Sequence, residues 1–190
     1  MARWPELSLK GEMNNVEHAQ HRRDDAVSPG GRSVPAGPVE DRYLEDFQEG
    51  ALFEFGDHLM TEDEIVGFAR QYDPQPFHVE RNPPRDAAHS KLIASGWHTC
   101  AVTMRMMVDS FISWRTFLPS PGTDELRFVR PIHPGDRLRV RLRVISVRSS
   151  ASKPDRGIAI TTIETLNQNS EVVLSMKMPI FVMRRAKTPS

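Results

Sequence analysis

The chain has 190 residues, 38% of them hydrophobic, enough for one sizeable core and too few for two domains of ordinary size. Lys+Arg and Asp+Glu stand at 25 each, so the formal net charge is zero and no global field directs the chain to nucleic acid or to an anionic membrane. The single cysteine, Cys100, excludes a disulfide framework within one chain, and no apolar run approaches the ~18 residues that span a bilayer. The N-terminus, Met1-Ala2-Arg3-Trp4-Pro5-Glu6, has no apolar core of the kind a secretory signal needs, so a reducing, cytoplasmic location is the expectation.

Residues 1–42 are polar and punctuated by Ser28-Pro29-Gly30-Gly31 and Pro35-Ala36-Gly37-Pro38, with too few aliphatic side chains to offset ordering by burial. They read as a flexible N-terminal extension, ahead of a single domain over 43–185 and a short C-terminal tail, 186–190. Within the domain, Ala51-Leu52-Phe53-Glu54-Phe55 alternates as a short strand, and Thr61-Glu62-Asp63-Glu64 has capping-box spacing before Ile65, Phe68, Ala69 and Tyr72. That helix is expected to end at Tyr72, because Asp73 precedes a proline and is pushed out of helical geometry. Pro74 and Pro76 then stiffen a loop that carries His78.

A longer helix is expected from Ser95 or Gly96. Trp97, Ala101, Met104, Val108 and Phe111 recur at helical spacing, and Cys100, Met107 and Trp114 widen the apolar face, so this helix reads as mostly enclosed. Arg105 and Asp109 can pair at i, i+4 on its polar stripe. After Pro119-Ser120-Pro121-Gly122 the pattern turns to strands. Leu126–Arg130 comes first, and Pro134-Gly135-Asp136 turns into Leu138, Val140, Leu142 and Val144, which alternate with Arg137, Arg139, Arg141 and Arg143. Ile158–Ile163 and Val172–Val182 follow, joined by an Asn167-Gln168-Asn169 turn. The order implies an α+β domain in which one long helix lies on a curved antiparallel sheet.

The chemistry-bearing residues cluster ahead of that helix. Asp73 and His78 set a carboxylate and an imidazole five positions apart, and Gly96 opens a helix whose backbone N–H and bare Cα would let a carbonyl oxygen approach its positive end. Asp73, His78 and Gly96 are the candidate catalytic residues. Phe77, Ser95, Trp97, His98 and Thr99 are the candidate substrate-binding residues, with capping or packing as their competing role. The arginine stripe could meet phosphates, but an alternating charged strand face is more simply a solvated surface. No His/Cys/Glu set has metal-ligand spacing, and there is no P-loop or dinucleotide fingerprint, so neither a metal nor an organic cofactor is expected.

Asp73-Pro74-Gln75-Pro76-Phe77-His78, with Gly96 a further 18 residues on and Arg130-Pro131-Ile132-His133-Pro134-Gly135-Asp136 downstream, resembles the MaoC-like dehydratases of the hotdog fold, a family that includes (R)-specific enoyl-CoA hydratases. The likeness covers roughly Tyr43 to Arg185. Gln75 stands where many members have Asn, Ser90-Lys91 where they have a Gly pair, and Ser95 where a His often precedes the helix Gly. The resemblance implies a single hotdog domain, a hydro-lyase acting on an enoyl or 3-hydroxyacyl thioester in its acyl-CoA form, a catalytic water held by Asp73 and His78, and a homodimer with the sites near the interface. A hotdog thioesterase is the competing enzyme, since one fold hosts several reactions and such enzymes often place a carboxylate on the central helix, where this chain has Asp109. An acyl-thioester-binding subunit without turnover is the non-enzymatic alternative.

Overall fold

In a computed structural model, residues 38–82 and 91–186 are described. Strand β1 (Leu52–Leu59) contains a bulge where its register against the neighbouring strand shifts between Phe55 and His58. Gly56 makes the bulge possible: its φ is +82°, and a Cβ there would stand 2.5 Å from the sulfur of Met106. Helix α1 (Glu62–Tyr72) ends where the proline-preceding residue requires, with Asp73 at the C-cap in a non-helical φ/ψ of −150°/66°. Ile65, Val66 and Ala69 are its buried residues, whereas Tyr72 is exposed. The segment that carries His78 is more regular than the expected loop. Pro76–Val79 forms one helical turn, α2, because Pro76 fits the first position, where its missing N–H costs nothing.

Helix α3 (Gly96–Ser110) is followed by β2 (Phe117–Leu118), β3 (Asp124–Phe128), β4 (Arg137–Ser149), β5 (Arg156–Leu166) and β6 (Val172–Met183). The sheet runs β1-β4-β5-β6-β2, every pairing is antiparallel, and β3 pairs with a separate stretch of β6, Leu174–Lys177. On β4 the expected alternation holds: Leu138, Val140, Leu142 and Val144 are buried, and the intervening arginines face outward. The inward residues of the curled sheet close on α3 through Val102, Met106 and Met107, with Phe53, Phe55 and Phe111 forming an aromatic cluster at its far end.

Met107 and Phe111 are buried as expected, but the rest of the enclosed face of α3 is not the expected one. Its buried residues are His98, Thr99, Val102, Thr103, Met106 and Met107, while Trp97, Ala101, Met104 and Val108 lie outward, Trp97 being 61% exposed. The inner face tolerates threonines because Thr99 Oγ1 donates to the Ser95 carbonyl, and Thr103 Oγ1 bonds the Thr99 carbonyl and Thr165 Oγ1. Arg105 and Asp109 pair as expected on the outer face.

Most of the expected N-terminal extension lies outside the described residues, as do 187–190 of the C-terminal tail. Of the residues between them, Arg42 is buried, and its Nη1 donates to the carbonyls of Ser110 and Phe111 at 3.1 Å each. A cation thus caps the negative end of α3. Arg42→Ala leaves one buried and one partly buried carbonyl without their charged donor, and thermal or urea unfolding is expected to show a loss of about 2–3 kcal/mol. No helix among the described residues is long and apolar enough to cross a membrane.

Candidate active site

Asp73 is positioned by the end of α1, and its carboxylate is met from two sides. Gln75 Nε2 donates to Oδ1 and Ser95 Oγ to Oδ2, each at 2.7 Å. The Gln75 bond first, and the Ser95 bond with it, hold the Asp73 carboxyl below the usual carboxylate range, against the opposing effect of burial, and His78 adds to the lowering. Asp73 is therefore a carboxylate at neutral pH. A folded-state pKa below the unfolded one stabilises the fold at pH values above the ordinary carboxylate pKa of ~3.9, and that contribution is lost as pH falls through the folded value. Urea unfolding of wild type and Asp73→Asn is accordingly expected to show a stability gap above about pH 5 that closes towards pH 3.

His78 is buried on the single turn of α2, and its Nδ1 lies 2.8 Å from the carbonyl oxygen of Ile93. A carbonyl only accepts, so Nδ1 carries a proton, and Nε2 is the ring nitrogen that faces the site. That Nε2 is 3.3 Å from Oδ2 of Asp73. Base and carboxylate thus flank one point, with the ring braced edge-on by Phe77.

Ser95 links this pair to the central helix. It is the N-cap of α3, its Oγ accepting from the Trp97 N–H while its proton goes to Asp73. Gly96 is the first helical residue, so its N–H belongs to the unpaired positive end of a 15-residue helix. A second reason for glycine appears here: a Cβ at this position would lie 2.6 Å from Cε1 of Phe128, the last residue of β3. Phe128 also meets Trp97 edge-on at 5.9 Å.

The structure thus brings together Asp73, His78, Ser95 and Gly96, with Phe77 against His78. Trp97 lies at the rim beside Phe128. Thr99 is fully buried and bonded within the helix, facing the sheet. His98 turns away towards α1, where it stacks on Phe68 at 4.6 Å. Sequence reasoning missed three contributors: the Ile93 carbonyl that sets the His78 tautomer, the Phe128 ring over Gly96, and Gln75, noted only as a departure from the family pattern. Of the arginine stripe, Arg137 pairs with Asp57, Arg139 bonds the Asn167 carbonyl and Ser170, and Arg141 bridges Glu54 and Glu164, which favours the reading of a solvated sheet face. Asp109 is exposed and tied to Arg105, away from Gly96. Cys100 is half-buried and burial pushes its thiol up, and among the described residues no three His, Cys, Asp or Glu side chains are grouped to hold a metal ion.

A curled antiparallel sheet around one central helix, with Asp73 and His78 beside the helix N-terminus, is the hotdog arrangement. Residues 47–165 match the family model for the MaoC-like domain, and the chain belongs to that family. It is similar to the crystal structure of a MaoC-like dehydratase from Rhodospirillum rubrum, at 38% identity and a TM-score of 0.71, over 77% of this chain and 99% of that one. It shares its fold, at 21% identity and a TM-score of 0.59, with the unliganded R-hydratase PhaJ1 from Pseudomonas aeruginosa, over 78% of this chain and 94% of that one. Among curated proteins it is 23% identical over 141 residues to the uncharacterized protein YdeM of Bacillus subtilis, covering 74% of this chain and 99% of that protein. Membership of the MaoC-like dehydratase family places the chain, in general terms, among hydro-lyases.

Proposed function

We propose that the protein adds water to a 2-enoyl thioester, or removes it from the 3-hydroxyacyl form, with the acyl group carried on CoA and with Asp73, His78 and Gly96 as the catalytic residues. The observation that carries this reading is the 3.3 Å approach of His78 Nε2 to Asp73 Oδ2 at the entrance to α3, with His78 Nδ1 already engaged by the Ile93 carbonyl. In the hydration direction His78 takes a proton from water through Nε2, while Asp73 orients the same water and offsets the charge on the imidazolium. The hydroxyl adds to C3, and negative charge gathers on the thioester oxygen. The Gly96 N–H at the positive end of α3 stabilises that charge, and the imidazolium returns its proton to C2. Atoms balance without a metal or an organic cofactor.

The site is proposed to work in a homodimer. Trp97 and Phe128 meet as exposed rings beside Gly96, with Val129 exposed after β3 and Met104 and Val108 exposed further along α3, and a second copy would cover these side chains and the strand edge. Light scattering is expected to give twice the monomer mass. Loss of enoyl absorbance over a panel of short and medium trans-2-enoyl-CoAs tests the reaction. No consumption of any member overturns the hydratase reading, and release of free thiol would mark a thioesterase instead.

A further inference from the structure

Away from Asp73 and His78, three titratable side chains from three elements meet. His58 Nε2 of β1 lies 2.8 Å from Oε1 of Glu64 on α1, and His98 Nε2 of α3 is 4.0 Å from the same oxygen. The fold aims them there. The bulge at Gly56 sends Asp57 outward to Arg137 and His58 inward to Glu64. Glu64 has capping-box spacing from Thr61, yet only half of the box forms: Thr61 Oγ1 accepts from the Glu64 N–H, and the Glu64 carboxylate goes to His58 instead of back to the cap.

His98 is the buried member, its side chain 8% exposed and its ring stacked almost parallel on Phe68. A carboxylate oxygen near Nε2 favours the proton there, which leaves Nδ1 as a bare acceptor, and Nδ1 has no hydrogen-bond partner among the described residues. Burial disfavours the charged ring, Glu64 opposes that effect, and His58 adds to it. A neutral imidazole held this way is a spacer of defined shape between α1 and α3.

We propose that Glu64, His58 and His98 are positioning residues for the site, clamping one end of the α1–α3 contact whose other end is the Asp73–Ser95 hydrogen bond. The proposal rests on the reading of Asp73 and His78 given above. Glu64, Phe68 and Tyr72 recur at i, i+4 along α1, and Asp73 follows directly. On α3, His98 lies three residues beyond Ser95. A shift of α1 against the first turn of α3 therefore moves Asp73 relative to both Ser95 and His78.

Glu64→Gln and His58→Gln test this, because both side chains are about a third exposed, the first variant keeps the shape of the carboxylate, and the second keeps a polar group in reach of Glu64 in place of the ring. Each is expected to lower kcat for enoyl-thioester hydration about tenfold or more with KM within about twofold, since displacement from afar can cost ~10²-fold. Imidazole-nitrogen NMR of the same proteins is expected to show the His98 tautomer change and, with it, a shift of the His78 ring resonances, which neither substitution touches directly. Unmoved His78 resonances overturn the proposal, and so does a lower Tm with kcat and those resonances unchanged, which assigns a merely structural role. If the wild-type protein hydrates no thioester, the functional reading fails on that measurement, while the His78 resonances still decide the clamp.

Discussion

Asp73→Asn is expected to lower kcat for hydration by about 10²–10⁴-fold with little change in KM, the range spanned by a positioned acid or base. The substitution preserves shape and removes the one property that the surroundings require. Oδ1 and Oδ2 each accept from a donor, Gln75 Nε2 on one side and Ser95 Oγ on the other. An amide sets an NH₂ against one of those donors, so the side chain must turn or lose a bond, and it no longer opposes the charge that forms on His78. Removing the donors singly separates these effects: Gln75→Ala and Ser95→Ala leave the carboxylate in place and are expected to cost less than Asp73→Asn. Steady-state kinetics on the best enoyl-CoA, with circular dichroism to confirm folding, decides the order. Near-normal turnover by Asp73→Asn would move the chemistry elsewhere.

Much of this site was legible because its placement is local. The end of α1 at Tyr72 follows from Pro74, the start of α3 from Ser95 and Gly96, and the alternation on β4 from the period of a half-buried strand. What failed was the choice between faces of α3. Both stripes of that helix are rich in apolar residues, and the buried one carries His98, Thr99 and Thr103, which look polar until their bonds to the helix backbone and to Thr165 are known. Periodicity counts apolar residues and cannot count satisfied hydroxyls. Contacts across long separations were equally hidden: Ser95 reaches back to Asp73, Ile93 sets the tautomer of His78, and Phe128 arrives from β3. No local signal announces such meetings. Spacing and helix ends named Asp73, His78 and Gly96 as candidates, and the family resemblance added that Asp73 and His78 hold one water.

Gly96→Ala is the second substitution with a large expected effect, about 10²–10³-fold in kcat if the residue's N–H stabilises the thioester oxygen. Helix propensity alone argues the other way, since Ala is favoured over Gly inside a helix by ~1 kcal/mol. Two physical reasons for the glycine compete: access of a carbonyl oxygen to the N–H, and room for the Phe128 ring, whose Cε1 would stand 2.6 Å from an added Cβ. Phe128 is half-exposed at the end of β3, so its ring can yield, and the packing penalty in Gly96→Ala is expected to be modest. Phe128→Ala separates the two reasons. In the double variant the methyl group meets no ring, so Tm is expected to return to that of Phe128→Ala or above it, while turnover stays low because the methyl still crowds the N–H. Recovery of turnover together with Tm would assign Gly96 to packing under Phe128 and leave the thioester oxygen to another donor. Low activity on a restored fold is the outcome that ties the α3 N-terminus to charge stabilisation, because only the space over the Gly96 N–H then distinguishes the double variant from Phe128→Ala.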